Sequence, residues 1–122
     1  MIRALIVDDE RRARAYLAKL VAAHEDVTVV GEARDGRSAL EAVERLSPDV
    51  VFLDVQMPEL TGLDVARALP RESPPLVVFT TAYDQFAMQA FELSATDYLL
   101  KPFSLQELQT RLYELVRAAG AA

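Results

Sequence analysis

Apolar runs of strand length alternate five times with amphipathic stretches along this chain. The apolar runs are Ile2–Val7, Val27–Val30, Val50–Leu53, Leu76–Phe79 and Tyr98–Leu100. Runs without polar alternation are typical of strands that are buried on both faces of a parallel sheet. Because strand–helix–strand connections are right-handed, five such units predict an α/β domain. We expect a doubly wound, five-stranded parallel sheet with helices on both faces.

The amphipathic stretches have helical spacing and are bounded by turn residues. The first predicted helix places on one face Tyr16, Leu17, Leu20, Val21 and His24. Gly31 is expected to close the second strand, and a fourth helix is expected around residues 85–93. Three aromatic residues near the C-terminal half are expected in the core, namely Phe86, Phe91 and Phe103.

Bulk composition limits the class of protein. The 122 residues fit one compact domain, and the net charge of −6 argues against a nucleic-acid-binding surface on this segment. The chain has no cysteine, which excludes a disulfide framework and is compatible with a reducing cytoplasm. Its apolar runs are far shorter than the roughly 20 residues of a membrane helix. The N-terminus MIRALIVDDE becomes acidic too early for a signal peptide.

Reactive polar side chains follow four of the predicted strands. They are Asp8 and Asp9 after the first strand, Asp54 after the third, Thr80 and Thr81 after the fourth, and Lys101 after the fifth. Taken singly, such residues are explained as helix caps, first-turn charges or solvated side chains. Taken together, they should converge, because the carboxyl ends of parallel strands meet at one edge, where α/β proteins bind ligands.

Three clustered carboxylates predict a bound cation, since neighbouring carboxylates repel one another unless positive charge neutralises them. Carboxylate and carbonyl oxygens, without histidine or cysteine, suit Mg²⁺ better than Zn²⁺. A magnesium site beside a free carboxylate, a lysine and a hydroxyl contains the groups that phosphoryl transfer to an aspartate requires. The sequence therefore predicts Mg²⁺-dependent phosphoryl chemistry at this edge of the sheet.

Four motifs make the chain similar to the receiver domains of two-component response regulators. They are LIVDDE at the first strand, VVFLDVQMPELTGLD at the third, VVFTTAYD at the fourth and DYLLKPF at the fifth. The resemblance covers essentially the whole chain and implies a flavodoxin-like (βα)5 fold with strand order 2-1-3-4-5. It implies a receiver domain over residues 1–118. Residues 119–122 would be a tail, or the start of a linker to an absent effector domain.

The resemblance also implies which residues carry the chemistry. Asp54 would accept a phosphoryl group from a cognate histidine kinase. Asp8, Asp9, Asp54 and the backbone carbonyl of Gln56 would bind Mg²⁺, for which Mn²⁺ could substitute. The protein would then be a signalling phosphoacceptor with self-catalysed phosphotransfer and autodephosphorylation, and not an enzyme that acts on a separate substrate.

Further residues are implied to sense the phosphoryl group. Thr81, which precedes Ala82, matches the switch hydroxyl, Lys101 would pair with the phosphoryl group, and Tyr98 matches the switch aromatic. The Lys101–Pro102 peptide bond is expected to be cis, as X-Pro bonds allow. Phosphorylation would change the face formed by the fourth helix, fifth strand and fifth helix, through which such domains often form homodimers.

The segment TAYDQFAMQAFELSATDYLLKPF is similar to receivers of the LytTR (LytR/AlgR-type) class. Regulators of that class usually continue into a C-terminal DNA-binding domain, so the expected output is transcription regulation by a longer parent chain in the cytoplasm. This segment itself is expected to bind neither nucleic acid nor membrane. A stand-alone receiver is the alternative.

Two positions beside the expected site are variable within the family and are expected to tune hydrolysis of the phospho-aspartate. Gln56 lies two residues after Asp54, and Tyr83 lies two residues after Thr81. Both should flank the path of the attacking water. The bulky Tyr83 side chain is expected to hinder that water and to lengthen the phosphorylated lifetime.

Other functions are open to comparison with the same residues. A phosphatase of the haloacid dehalogenase type also uses a strand-end aspartate and Mg²⁺, but it needs a second aspartate where this chain has Gln56. A receiver-like binding module that is never phosphorylated conflicts with the complete set of strand-end residues. GEARDGRS follows P-loop spacing, but Arg37 replaces the lysine and nearby acidic residues would repel phosphate. His24, the only histidine, is best explained as a helix C-terminal residue stabilised by the helix dipole.

Overall fold

A computed structural model of the chain describes residues 1–93 and 95–120, in which five strands alternate with five helices. The strands are β1 (Ile2–Val7), β2 (Val27–Ala33), β3 (Val50–Asp54), β4 (Leu76–Thr81) and β5 (Asp97–Leu100). The helices are α1 (Arg11–Ala22), α2 (Gly36–Leu46), α3 (Gly62–Arg67), α4 (Ala87–Glu92) and α5 (Leu105–Gly120). The predicted (βα)5 alternation is confirmed.

The strands form one parallel sheet in the order β2-β1-β3-β4-β5, as expected for a flavodoxin-like fold. The connections leave β1 toward β2 and leave β3 toward β4, so the direction of winding reverses between the central strands. The loops after β1 and β3 therefore diverge and leave a crevice at the carboxyl edge.

Each face of the sheet is covered by its own helices. On one face, apolar residues of α1 and α5 pack on the central strands, with Leu17, Val21, Leu108 and Leu112 at most 2% exposed. On the other face, α2, α3 and α4 bury a second cluster that includes Phe79. Burial on both faces explains why the strands lack polar alternation.

Several elements differ in extent from the sequence-based expectation. Gly31 does not close β2, which continues to Ala33; the register with β1 skips one residue at Val30, and the Leu46 side chain packs over Gly31. The ladder between β3 and β4 extends to the pair Asp54 and Thr80, so the predicted end residues belong to the sheet. Helix α4 is shorter than predicted, with six residues.

Two expected core residues are exposed. Tyr16 is 51% exposed on α1, and Phe91 is 83% exposed on α4. Helix α4 buries only Ala90, so the neighbouring Phe91 side chain points away from the sheet. Phe103 is buried and Phe86 is partly buried, as expected. Among the described residues, no helix is both long and apolar enough to cross a membrane.

Side-chain caps explain where two of the helices begin. The Asp35 carboxylate caps α2 by accepting the Ser38 N–H at 2.8 Å, and Thr61 caps α3 in the same way through Asp64. The segment GEARDGRS is thus a strand end followed by a capped helix, and not a phosphate-binding loop. Helix α5 continues through Gly120, while residues 121–122 of the predicted tail lie outside the described residues. The division at residue 118 stays a prediction.

Substituting alanine for Gly62 should destabilise the fold and disturb Asp54. A Cβ at Gly62 would clash with the backbone carbonyl oxygen of Asp54, which cannot rotate away. We expect the free energy of unfolding in urea to fall by about 1–3 kcal/mol, despite the better helix propensity of alanine.

Gly31→Ala is the matched control, because its Cβ would meet side-chain ends alone, the nearest being the flexible end of Leu46 at 2.7 Å. The loss should be smaller there. Equal losses in the two variants would contradict the close-approach explanation for Gly62.

Candidate functional site

The carboxyl edge of the sheet holds the buried polar residues of the described chain. Asp8 (1% exposed), Asp54 (5%), Thr80 and Thr81 (0%) are buried there at the ends of β1, β3 and β4. Lys101 follows β5 at the same edge. The four strand ends therefore meet as their sequence positions implied, because the strands are parallel and adjacent.

The carboxylates of Asp8, Asp9 and Asp54 form a compact acidic cluster. One oxygen from each lies within 4.8 Å of the others. Asp8 and Asp54 are buried whereas Asp9 is exposed, so the cluster opens to solvent on one side. The donors are hard oxygens without histidine or cysteine, and this set fits Mg²⁺. The Gln56 N–H donates to Asp54 Oδ1 at 3.4 Å, while a role for the Gln56 carbonyl stays a prediction.

The Lys101 ammonium bridges two of these carboxylates. Its Nζ donates to Asp8 Oδ2 at 2.7 Å and lies 3.8 Å from Asp54 Oδ1. The other Asp8 oxygen accepts the Glu10 N–H at 2.9 Å. The Lys101–Pro102 peptide bond is cis. A cation that binds Asp8 would compete with the ammonium for Oδ2.

Burial raises the pKa of Asp54 to about 7, and the negative charge of Asp8 adds to this rise. Lys101 lowers the pKa but offsets only part of the effect. The carboxylate is poorly solvated and is therefore more basic than an exposed aspartate.

Thr81 and Tyr98 are joined through the backbone of Tyr83. The Thr81 Oγ1 accepts the Tyr83 N–H at 3.2 Å, and the Tyr98 hydroxyl donates to the Tyr83 carbonyl oxygen at 2.5 Å. The Tyr98 ring lies 6.4 Å from that of Phe79. Burial raises the pKa of the Tyr98 hydroxyl, so it remains a hydrogen-bond donor. The two predicted switch residues thus hydrogen-bond to the backbone of the same residue.

The two positions expected to tune hydrolysis are accessible. Gln56 is exposed, and Tyr83 is 49% exposed with its ring packed edge-on against Phe86 at 6.4 Å. This contact restrains the Tyr83 ring beside the switch threonine. Their effect on hydrolysis stays a prediction.

Two features of the site were not foreseen from the sequence. The mostly buried Arg14 guanidinium donates to the Asp8 carbonyl oxygen at 2.8 Å and to Glu32 at 3.2 Å, which holds the loop after β1 against β2. Thr80 buries a hydroxyl that has no hydrogen-bond partner among the described residues. The paired threonines in VVFTTAYD could have drawn attention to Thr80, whereas the Arg14 contact depends on strand order and leaves no local pattern.

Comparison with known proteins agrees with this geometry. The family model described as the response regulator receiver domain matches residues 4–113. An uncharacterized response regulatory protein of Vibrio cholerae is 47% identical over 96% of this chain and 49% of its own length. The transcriptional regulatory protein BtsR of Escherichia coli is 44% identical over 94% of this chain and 48% of its own length. The chain therefore spans about half the length of these relatives.

Solved structures show the same likeness. The crystal structure of the response regulatory domain of mrkE from Klebsiella pneumoniae superposes with a TM-score of 0.93 at 33% identity. That match covers 99% of this chain and 100% of the other. The REC domain of AraT, a response regulator from Geobacillus stearothermophilus, is 36% identical with a TM-score of 0.80, over 97% of this chain and 92% of that one.

Replacing Asp54 by asparagine should stabilise the metal-free fold above neutral pH. The pKa of Asp54 is about 7 in the folded chain, whereas an unfolded aspartate has about 3.9. Between these values the folded state retains a proton that the unfolded state has lost, so stability falls as pH rises. The Asp54→Asn variant lacks this ionisation. Its advantage in free energy of unfolding should therefore grow from about pH 4 to about pH 7, reaching roughly 2–4 kcal/mol, and then remain constant.

Urea unfolding in EDTA across this pH range measures the difference, with Asp35→Asn as the control. The Ser38 backbone hydrogen bond holds the pKa of Asp35 below its ordinary value, so that variant should lose stability at neutral pH and regain it in acid. If Asp54→Asn is less stable than the natural chain at pH 8, the explanation from a buried charge is wrong.

Proposed function

Because the chain belongs to the response regulator receiver domain family, we propose that Asp54 is the residue that accepts a phosphoryl group from a histidine kinase. The observation that carries this proposal is the position of Asp54. Its carboxylate is 5% exposed at the carboxyl edge of the sheet, beside the carboxylates of Asp8 and Asp9 and 3.8 Å from the Lys101 ammonium. A rigid, poorly solvated carboxylate next to cationic groups is suited to attack phosphorus.

In the proposed reaction, an Asp54 oxygen forms a bond to phosphorus while the phosphorus–nitrogen bond of a phosphohistidine breaks and the imidazole leaves. Asp8, Asp9, Asp54 and the Gln56 carbonyl would hold Mg²⁺, or Mn²⁺, which would neutralise phosphoryl oxygens when bound. Lys101 would supply the second positive charge. Hydrolysis of the product by water would complete a cycle in which the chain is a signalling phosphoacceptor and has no separate substrate.

The proposed switch uses the hydrogen bonds around Tyr83. When phosphoryl oxygens are present, Thr81 would donate to one of them and move away from the Tyr83 N–H. The carbonyl oxygen of the same residue accepts the Tyr98 hydroxyl, so movement of the Tyr83 backbone would alter the support of Tyr98. Phosphorylation would thereby shift a two-state equilibrium at α4, β5 and α5.

The face formed by α4, β5 and α5 is proposed to form a homodimer. It exposes large apolar side chains on α4, with Met88 78% and Phe91 83% exposed. Exposed apolar side chains that recur on one face are typical of interaction surfaces. The Asp97–Arg111 ion pair, at 3.4 Å, connects β5 to α5 within this face.

The proposed output is transcription regulation by a longer parent chain in the cytoplasm. Support comes from relatives called transcriptional regulatory protein, of which this chain covers about half. The LytTR class is the finer proposal and rests on the segment from Thr81 to Phe103. DNA binding would belong to another part of the parent chain, since the net charge of this segment is −6.

Incubation with acetyl phosphate and Mg²⁺ tests the phosphoacceptor. Intact mass spectrometry should show the gain of one phosphoryl group in the natural chain and no gain in Asp54→Asn, because the attacking carboxylate is absent. EDTA should abolish the gain. A gain that survives in Asp54→Asn would place the phosphoryl group elsewhere.

Asp64→Asn is a matched control, since Asp64 lies on the helix that follows β3 and its carboxylate caps the start of that helix. It should be phosphorylated at the natural rate.

Light scattering on the same samples tests the proposed homodimer. Phe91→Ser should weaken self-association. A monomer mass both before and after phosphorylation would contradict a homodimer.

Replacing Tyr83 by alanine should shorten the lifetime of the phosphorylated state. Removing the ring opens the path of the attacking water, and we expect dephosphorylation to accelerate by roughly threefold to tenfold, about 1 kcal/mol in the barrier. The rate is followed by loss of the phosphoryl mass after removal of acetyl phosphate. Phe91→Ala, which removes an exposed aromatic ring away from the site, should leave the rate unchanged. A Tyr83→Ala rate close to the natural one would contradict a shielding role.

A further inference from the structure

Thr80 carries a buried hydroxyl that the proposed cycle does not use. The residue is 0% exposed near the carboxyl end of β4, and its Oγ1 has no hydrogen-bond partner in the part of the chain that the structure describes. Burying an unpaired hydroxyl disfavours folding, whereas valine has nearly the same shape and a similar preference for strands. The fold alone therefore gives no reason for a threonine at this position.

The hydroxyl lies on the same face of the sheet as the reactive groups. Thr80 pairs in register with Asp54 on β3 and with Leu99 on β5. Val78, Phe52 and Leu99 each face the cluster under α1 and α5, and side chains two residues further along a strand point the same way. This alternation places Thr80 on the same face as Asp54 and Lys101, and Thr81 on the opposite face.

Strand order also gives the direction in which the Lys101 side chain runs across the sheet. Lys101 follows β5, whereas its partner Asp8 follows β1, and β4 and β3 lie between them. Neighbouring strands are about 4.8 Å apart, so the side chain must cross β4 and β3 to reach Asp8 Oδ2. This path crosses the carboxyl end of β4, the end at which Thr80 lies on the same face.

We infer that Thr80 is a positioning residue for Lys101. Its hydroxyl oxygen accepts a hydrogen bond from the ammonium when the latter leaves Asp8, and so holds Nζ next to Asp54. Lysine has three N–H donors and no acceptor, and a hydroxyl can accept one of them. A cation on Asp8 displaces the ammonium from Oδ2, and Thr80, which is in register with Asp54, offers a buried hydroxyl acceptor beside that carboxylate. The inference rests on the proposed function in that it deepens the role of Lys101.

The test compares Thr80→Val, which removes the hydroxyl, with Thr80→Ser, which keeps it. Isothermal titration with Mg²⁺, without any phosphodonor, should show affinity about tenfold weaker in Thr80→Val and near natural in Thr80→Ser, the fold-change expected for one hydrogen bond to a charged group. The rate of phosphorylation by acetyl phosphate should fall in parallel. The free energy of unfolding of Thr80→Val should equal or exceed that of the natural chain, because an unpaired buried hydroxyl is removed.

Thr28→Val is the control, a matched exchange on β2, which lies three strands from β4 in the same sheet. It should change neither Mg²⁺ affinity nor phosphorylation. Three results would each overturn the inference: natural Mg²⁺ affinity in Thr80→Val, a loss of stability in that variant, or failure of Thr80→Ser to restore affinity.

If the natural chain binds Mg²⁺ but takes no phosphoryl group, the proposed function fails while the titration still decides the role of Thr80. Absence of Mg²⁺ binding by the natural chain would overturn both.

Discussion

The carboxylate of Asp54 is held out of water, and the arrangement of the site depends on that constraint. β3 is buried on both faces, so the side chain at its end is carried to the carboxyl edge on a rigid support. Desolvation raises the pKa of this carboxyl, and the nearby Asp8 raises it further. Only positive charge can compensate two such carboxylates. The Lys101 side chain, which follows the edge strand β5, reaches both of them. The same imbalance makes a cation favourable at the cluster.

The residues of the candidate site are divided between the two faces of the sheet. Asp54 and Lys101 lie on the α1 and α5 face, where the fold provides a dry, tightly packed base. Thr81 and Tyr98 lie on the other face of the sheet, which α4 covers in part. That helix is short and buries a single residue. Adjacent residues of β4 therefore face opposite sides of the sheet, with Thr80 on the side of Asp54 and Lys101 and Thr81 on the other. The Tyr83 backbone connects Thr81 to Tyr98, because its N–H donates to Thr81 and its carbonyl oxygen accepts the Tyr98 hydroxyl.

Much of the fold could be predicted because its signals are local. Apolar runs bounded by turn residues identified all five strands, and the position of Asp54 at the end of one run identified the central candidate residue. One error arose where an apolar residue was taken by itself as a sign of burial. Phe91 fits a helical pattern, yet α4 has room against the sheet only for Ala90. A second error concerned the extent of a strand: Gly31 suggested a strand end, yet it lies within β2, where the Leu46 side chain packs closely against it.

The sequence by itself determined the alternation of strands and helices and the acidic, basic and hydroxyl residues at the strand ends. Because parallel strands share one carboxyl edge, these facts were enough to predict which side chains would meet there. Only the tertiary structure decided which groups pair there. Lys101 bonds Asp8 across a separation of 93 residues, Arg14 supports the Asp8 carbonyl, and Thr80 keeps an unpaired hydroxyl. Periodicity depends on neighbours along the chain, whereas these contacts depend on strand order and on packing between distant residues.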